Sequence, residues 1–270
     1  MGAAVSFRRE ADRRSNLQRA ALKPTWATGT GTENIAAGTS IFDPVLCEVA
    51  YRWFCPPGGL VLDPFAGGSV RGIVAALLGR RYIGIDLRAE QIEANEKQAA
   101  RICEGEQPQW IIGDSRDLAR LCPDARVDFV FSCPPYGDLE RYSEDARDLS
   151  TLDYEAFIAA YRDIIAAAVG RLHSDRFACF VVGDFRDRRG FYRGFVRETE
   201  LSFAAAGADL YNDAVLVTAV GSLPIRISQQ FEGARKLGKT HQNVLVFCKG
   251  DPKRATAAVG AVECGEIPTP

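Results

Sequence analysis

Two consecutive prolines beside a cysteine and a tyrosine form the first segment whose residue types could do chemistry. Cys133-Pro134-Pro135-Tyr136 directly follows a short apolar run that is typical of a strand. The prolines fix the backbone torsions, and the first of them biases Cys133 toward an extended conformation. A rigid loop at a strand end holds its carbonyl groups in set directions, so we predict that these residues form a reaction loop. The alternative is a structural turn, because Pro-Pro pairs commonly mark turns.

A glycine-rich turn earlier in the chain has the composition of a ligand-binding loop. Residues 63–69 read Asp-Pro-Phe-Ala-Gly-Gly-Ser and lie between a short apolar strand and a helix. Glycines let a backbone turn sharply and approach a ligand closely. The segment lacks the Gly-Lys-Ser/Thr ending of a phosphate-binding P-loop and the Gly-x-Gly-x-x-Gly spacing of dinucleotide-binding proteins. This cofactor loop therefore predicts a nucleoside cofactor without a pyrophosphate.

Two acidic residues follow the next two predicted strands. Asp86 comes about 20 residues beyond the loop, where a carboxylate can accept hydrogen bonds from ribose hydroxyls. Asp114 follows the strand after that and can meet an adenine amino group. Since the carboxyl ends of adjacent parallel strands share one crevice, we expect both residues to lie beside the cofactor loop.

The elements that must position these residues follow from hydrophobic periodicity, which predicts an α/β chain with a parallel sheet. The predicted strands are Leu60 to Leu62, Tyr82 to Ile85, Gln109 to Ile112, Val127 to Ser132, Phe177 to Val182, Ala214 to Ala219 and Val244 to Lys249. The predicted helices are Pro44 to Trp53, Val70 to Leu78, Ala89 to Cys103, Tyr154 to Leu172 and Phe195 to Ala206.

The cofactor loop followed by the reaction loop resembles the amino-methyltransferase family that makes N6-methyladenine or N4-methylcytosine in DNA. Upstream, residues 38–44 are similar to the family's cofactor-tail element, and residues 241–249 resemble its closing strand. The resemblance covers residues 38–250 and implies a Rossmann-like sheet of seven strands. That sheet is mostly parallel, has its last strand inserted antiparallel, and carries helices on both faces.

The resemblance also implies that S-adenosylmethionine binds in the crevice and that a base is flipped out of the DNA helix into the site. The cofactor would be held by Thr39, Ser40, Phe42, Asp63, Pro64, Phe65, Ala66, Gly67, Gly68, Ser69, Asp86, Leu87, Asp114 and Ser115. In the catalytic loop Cys133, Pro134, Pro135 and Tyr136, the tyrosine would stack on the base. The Pro134 carbonyl and the side chain at 133 would accept hydrogen bonds from the target amino group.

Cys133 departs from the family pattern, which has Asp, Asn or Ser at this position, and sulfur is a poor hydrogen-bond acceptor. Cysteine is closest to serine, the version favoured by N4-cytosine enzymes, so it favours cytosine over adenine. Ser132 could offer an oxygen, although strand alternation predicts that it faces the other way. Alternatively, Cys133 is a thiolate nucleophile for methylation of a pyrimidine ring carbon.

Two further alternatives remain open at the level of sequence. Guanine N2-methyltransferases acting on RNA use a similar Pro-Pro-Tyr loop, although the chain has no appended RNA-binding domain that we recognise. A catalytically silent nucleic-acid-binding protein could also keep this fold.

Composition and periodicity, taken with the resemblance, predict three parts: a basic flexible tail at 1–30, a methyltransferase domain at 31–250, and a flexible tail at 251–270. Two insertions in the domain, 138–150 and 221–241, combine basic, amide and aromatic side chains suited to phosphates and base edges. The residues predicted to bind nucleic acid are Arg141, Tyr142, Arg226, Arg235, Lys236, Lys239 and His241.

Composition sets the remaining expectations. A formal net charge of −2 means that contact with DNA must come from a local basic patch. The eight cysteines show no paired Cys-x-x-Cys spacing, so we expect no metal and a reducing compartment, the cytoplasm. No apolar stretch is long enough to cross a bilayer, so no membrane partner is expected.

Overall fold

The computed structural model of the chain describes residues 42–137, 143–217 and 223–262, with the side chains of 223–226 outside that description. Its strands are β1 (Leu60–Asp63), β2 (Arg81–Asp86), β3 (Gln109–Ile112), β4 (Val127–Ser132), β5 (Leu172–Val182), β6 (Asp209–Val217) and β7 (His241–Lys249). The α-helices are α1 (Pro44–Phe54), α2 (Val70–Leu77), α3 (Ala89–Ile102), α4 (Leu118–Leu121), α5 (Tyr154–Arg171), α6 (Phe195–Ala205), α7 (Leu223–Ala234) and α8 (Pro252–Val259).

The strands form one sheet in the order β3-β2-β1-β4-β5-β7-β6. The five strands from β3 to β5 pair in parallel, whereas β7 lies between β5 and β6 and is antiparallel to both. The predicted seven-stranded sheet with an inserted antiparallel last strand is therefore confirmed.

Helices cover both faces of the sheet because the central strands are apolar on both sides. One core contains Tyr51 of α1, Ile73 of α2 and Phe129 of β4. The other contains Tyr161 of α5 and Val130 of β4. In this core the rings of Phe203 (α6) and Phe247 (β7) also stack on each other. Neighbouring residues of β4 thus enter opposite cores, as the two-residue repeat of a strand requires.

Two expectations about the last part of the chain are corrected. Residues 252–259 form a helix where a loose tail is predicted, because Asp251 accepts the N–H groups of Lys253 and Arg254 and Pro252 occupies the first turn. The insertion predicted at 221–241 contains the helix α7, and its end, from His241, already belongs to β7. In addition, β5 and β6 begin earlier than predicted, at Leu172 and Asp209.

Within residues 42–137, 143–217 and 223–262, we find no helix that combines the length and the apolar character needed to cross a bilayer.

Gly84 in β2 lies where the sheet, the cofactor loop and the Trp110 indole pack without room for a side chain. A Cβ built there would lie 2.7 Å from the Tyr82 ring, 2.9 Å from the Ala66 Cβ and 2.9 Å from the Trp110 ring. Real Cβ atoms do not approach other atoms this closely, so a side chain would push the loop or the indole away.

We therefore expect Gly84→Ala to lower the free energy of unfolding by about 1–3 kcal/mol through overpacking. Gly105→Ala is the matched control, because a Cβ at Gly105 meets no atom within 4 Å. Denaturant unfolding of both variants measures the difference. Equal free energies of unfolding for Gly84→Ala and Gly105→Ala would contradict the tight packing at Gly84.

Candidate active site

Parallel pairing brings the predicted functional residues to one edge of the sheet. Each of the neighbouring strands β3, β2, β1 and β4 ends at this edge, and the residues there are Asp114, Asp86, Asp63 and Cys133. Strand β5 ends beside them and is followed by Asp184. The structure thus unites the cofactor loop, both acidic residues and the reaction loop, as the sequence predicts.

Asp63 lies beneath this edge and is fully buried. One carboxylate oxygen accepts hydrogen bonds from Arg71 Nε at 2.6 Å and from the Tyr82 hydroxyl at 2.7 Å. The other accepts from the Ser132 hydroxyl at 2.5 Å and from the Phe65 N–H at 3.2 Å. The sequence places Asp63 among the ligand-contacting residues, whereas the structure gives it a supporting position between the two loops.

Ser132 provides the connection from Asp63 to the reaction loop. Strand alternation predicts that its side chain and that of Cys133 face different ways, and its hydroxyl indeed donates to the buried Asp63 rather than lining the loop surface. Since Cys133 is the next residue, the position of the reaction loop depends on this hydrogen bond.

Arg71 is a buried residue of α2 that sequence reasoning missed. Its Nη2 donates to the carbonyl oxygens of Phe65 at 2.8 Å and Ala66 at 2.9 Å, so one guanidinium holds both Asp63 and the loop backbone. Burial by itself lowers the pKa of Arg71, but Asp63, together with Tyr82 and Cys133, more than offsets this, so the pKa of Arg71 is raised. The available signal was an arginine in an otherwise apolar helix.

Phe42, one of the predicted cofactor residues, lies over this arginine. The centre of its ring is 4.6 Å from the guanidinium carbon of Arg71 and 5.7 Å from the ring of Phe131. The aromatic ring therefore covers the Asp63–Arg71 pair on one side.

The backbone of the cofactor loop at Ala66 and Gly67 is hydrogen-bonded to neighbouring elements, yet the space next to the Gly67 Cα is open. Gly67 has a φ of 49°, its N–H donates to Asp86 at 3.0 Å, and its carbonyl accepts from Asn95 Nδ2 at 2.7 Å. The N–H of Ala66 donates to the Ile85 carbonyl at 3.0 Å. A Cβ built on Gly67 meets no atom within 4 Å, so a ligand could lie directly on the backbone here. Asn95 was not foreseen from the sequence.

Asp86 retains the capacity to bind a ligand. Its carboxylate accepts the N–H groups of Arg88 at 2.9 Å and Gly67 at 3.0 Å, and its side chain is 14% exposed. A carboxylate has about four acceptor positions, so two hydrogen bonds leave others for hydroxyl donors. Burial raises the pKa of Asp86, although these backbone N–H groups and the Arg88 guanidinium oppose the rise. Leu87 beside it is half-buried.

Three of the remaining predicted cofactor residues, Asp114, Ser115 and Ser69, have hydrogen-bond partners within the protein. Asp114 accepts the N–H of Arg116 at 2.9 Å and forms an ion pair with its guanidinium at 2.5 Å, so a ligand there must share the carboxylate. The Ser115 hydroxyl donates to the Pro64 carbonyl at 2.6 Å. The hydroxyl of Ser69 donates to Gln98 at 2.6 Å, and Gly68 is exposed.

Tyr136 of the reaction loop is fixed from several directions. Its ring meets those of Phe185 and Phe195 edge to face, with 6.1 Å between centroids in each case. Its hydroxyl accepts a hydrogen bond from Gln242 of β7. Pro134 is buried, and Cys133 is half-buried against the core. The three partners of Tyr136 come from distant parts of the chain and were not predicted as site residues.

The predicted nucleic-acid-binding residues are only partly described. Arg141, Tyr142 and the side chain of Arg226 lie outside the described residues, as do Thr39 and Ser40 of the predicted cofactor set. Among the others, Lys236 lies close to Gly190, because a Cβ built on that glycine would be 2.9 Å from Lys236 Nζ. Arg235 has its guanidinium carbon 5.1 Å from the ring of Phe231, Lys239 is half-buried, and the exposed His241 begins β7.

The described side chains include no group of three or more His, Cys, Asp or Glu residues arranged to hold a metal ion.

Comparison with known proteins finds similarity concentrated in the cofactor loop and its surroundings. A family model described as DNA methylase matches residues 44–97. DNA adenine methyltransferase YhdJ of Escherichia coli is 51% identical over 37 residues, 14% of this chain and 13% of that protein. Type II methyltransferase M2.DpnII of Streptococcus pneumoniae is 46% identical over 41 residues, 15% of each. These matches confirm the resemblance to amino-group DNA methyltransferases, over a small part of the relatives' length.

The fold has a wider match. A methyltransferase from Pyrococcus furiosus superimposes with a TM-score of 0.52 at 14% identity, covering 88% of this chain and 100% of that one. The predicted Rossmann-like methyltransferase architecture is confirmed by this likeness.

Arg71→Met should lower the free energy of unfolding by about 3–5 kcal/mol, because it leaves the Asp63 carboxylate buried without its positive partner. Adding Asp63→Asn should recover part of the loss, since the uncompensated charge is then removed. Arg52→Met is the control, because its ion pair with Glu48 is on the surface and should contribute about 0–1 kcal/mol. Denaturant unfolding gives the values, and equal losses from Arg71→Met and Arg52→Met would contradict a supporting role for the buried pair.

Proposed function

We propose that this chain is an S-adenosylmethionine-dependent methyltransferase acting on the exocyclic amino group of a base in DNA. The premise is the similarity of residues 44–97 to the DNA methylase family. The observation that carries the proposal is the junction at Asp63. One buried carboxylate binds residues of the cofactor loop and, through Ser132, the strand that leads into the reaction loop. A methyl donor and a methyl acceptor must be held side by side, and this junction holds their two loops together.

The residues at the sheet edge fit an adenosyl cofactor. Asp86 has free acceptor positions for ribose hydroxyls, and the backbone at Gly67 is open to close approach. Asp114 at the next strand end is an acceptor for the adenine amino group, in competition with Arg116. When bound, S-adenosylmethionine supplies an electrophilic methyl group.

The reaction loop is suited to holding a flat base. Phe185, Phe195 and Gln242 fix the Tyr136 ring before any base arrives, so stacking on it requires little reorganisation. The rigid Pro134 carbonyl is the acceptor that we assign to the target amino group. Because a paired amino group inside a duplex is out of reach of such a loop, the base must be flipped out.

Two observations bear on which base is modified. The relative from Escherichia coli carries the name DNA adenine methyltransferase, which favours N6 of adenine. Cys133 resembles the serine of N4-cytosine enzymes, which favours cytosine. Both share the amino-group chemistry, and both differ from ring-carbon methylation, which needs Cys133 as a nucleophile.

Incubation of the protein with S-adenosylmethionine and duplex DNA, followed by nucleoside mass spectrometry, should yield an N-methylated base. Cys133→Ser should keep this activity within about tenfold, because serine is the residue that the family itself uses at this position and a hydroxyl is the better acceptor. A ring-carbon product that disappears in Cys133→Ser would overturn the amino-group assignment, and no product from DNA with cofactor bound would overturn the DNA substrate.

Asp86→Asn should weaken the binding of S-adenosylhomocysteine about tenfold to a hundredfold, the cost of losing charge-assisted hydrogen bonds. Since burial raises the pKa of Asp86, binding to the wild-type protein should weaken as the pH falls through this raised pKa, where the carboxylate takes up a proton. Calorimetry at a series of pH values measures both effects.

The asparagine variant should lack this part of the pH dependence. Glu93→Gln, which removes an exposed carboxylate of α3, is the control and should bind as the wild-type protein does. Unchanged affinity in Asp86→Asn would contradict the placement of the ribose.

A further inference from the structure

Residues 184–194, between β5 and α6, fold into a short hairpin that contacts the reaction loop through Phe185. Arg186 and Tyr192 form an antiparallel bridge, and the N–H of Asp187 donates to the Phe191 carbonyl at 2.8 Å. The turn closes at Gly190, whose N–H donates to the Asp187 carbonyl at 2.9 Å. This segment, the arginine arm, is an ordered structure rather than a simple polar connection.

The base of the arginine arm packs against the reaction loop. Phe185 is buried, and its ring lies 6.1 Å from that of Tyr136 and 5.5 Å from that of Phe195. Asp184 accepts the N–H of Phe195 at 2.5 Å, and the N–H of Arg193 donates to the Phe185 carbonyl at 2.9 Å. The position of the arm is therefore fixed relative to Tyr136, the residue assigned to the target base.

The outer part of the arm exposes aromatic rings beside guanidinium groups. Phe191 is 63% exposed and Tyr192 is 48% exposed, so neither ring is buried in the hydrophobic core. The guanidinium carbon of Arg186 lies 3.9 Å from the centre of the Tyr192 ring, and that of Arg189 lies 5.2 Å from the centre of the Phe191 ring. Arginines interleaved with exposed aromatic rings are suited to phosphates and stacked bases.

The charges of the arm leave a positive outer surface. Its acidic residues are Asp184 and Asp187, and both carboxylates accept backbone N–H groups, of Phe195 and Phe191 respectively. Lys236, from the segment that follows α7, meets the arm at Gly190, with its Nζ 2.9 Å from the position of a built Cβ. The basic side chains brought together in this way are Arg186, Arg188, Arg189 and Lys236.

We propose that the arginine arm binds duplex DNA beside the flipped base, with its arginines and Lys236 on backbone phosphates and Phe191 against the bases next to the vacated position. The inference rests on the proposed function, because it presumes that DNA is the substrate. The chain has a formal net charge of −2, so a local basic surface of this kind is needed to attract DNA. The contact of Phe185 with Tyr136 gives the arm a fixed register relative to the reacting base.

The experiment compares the full chain with Arg188→Ala/Arg189→Ala, with Phe191→Ala and with the control Arg101→Ala/Arg120→Ala, whose arginines lie on α3 and α4. Fluorescence anisotropy gives the affinity for a labelled duplex and for its single strand at several salt concentrations. Calorimetry gives the affinity for S-adenosylhomocysteine, thermal unfolding reports stability, and nucleoside mass spectrometry gives the rate of DNA methylation.

We expect Arg188→Ala/Arg189→Ala to weaken duplex binding at least tenfold and to reduce the slope of log K against log salt by about 2, one for each phosphate contact. Phe191→Ala should reduce duplex binding or the methylation rate about tenfold, through the loss of stacking. Cofactor affinity and thermal stability should match those of the wild-type protein, and the control should behave as the wild-type protein does.

The results distinguish the arm from the proposed function. A wild-type protein that methylates DNA, with both arm variants equal to it in duplex affinity, salt slope and rate, would overturn the arm alone. Loss of affinity for the single strand without loss for the duplex would also overturn it. A wild-type protein that binds cofactor but neither binds nor methylates DNA would overturn the proposed function and the arm with it.

Discussion

The buried ion pair of Asp63 and Arg71 is the interaction on which the rest of the site depends. A carboxylate removed from water requires a positive partner and a full set of hydrogen bonds, and Asp63 has both at 2.5 to 3.2 Å. Burial and the neighbouring carboxylate raise the pKa of Tyr82, which therefore stays a protonated donor to Asp63. Because the four donors come from β1, α2, β2 and β4 or the residues that follow them, the carboxylate joins elements that are far apart in sequence.

From this junction the site extends along the sheet edge. On one side Arg71 and Asn95 hold the backbone of the cofactor loop, and Gly67 stays open above it. On the other side Tyr136 is fixed by aromatic rings and by Gln242, and one of these rings, Phe185, belongs to the base of the arginine arm. Cofactor loop, reaction loop and proposed DNA-contacting arm thus share one rigid support, which is what a transfer between two positioned reactants requires.

The sequence predicts the sheet and the two loops because their signals are local: apolar runs, glycines and prolines at strand ends. It could not reveal which side chains meet across the fold. The hydrogen bond from Gln242 to Tyr136 joins residues 106 positions apart, and Arg71 has a role only because its helix faces Asp63. Helix α8 was missed although Asp251 and Pro252 are a start signal, because the segment is short and weakly apolar.

The most direct test of the account is a crystal structure of the protein with S-adenosylhomocysteine. We predict difference density at the carboxyl ends of β1, β2 and β3, with the ribose hydroxyls within hydrogen-bond distance of Asp86 and the Asp63–Arg71 pair intact beneath it. Density confined to the depression between α3 and β3 that is lined by Ile92, Glu93 and Trp110, without contact to Asp86, or no density at saturating ligand, would contradict this placement.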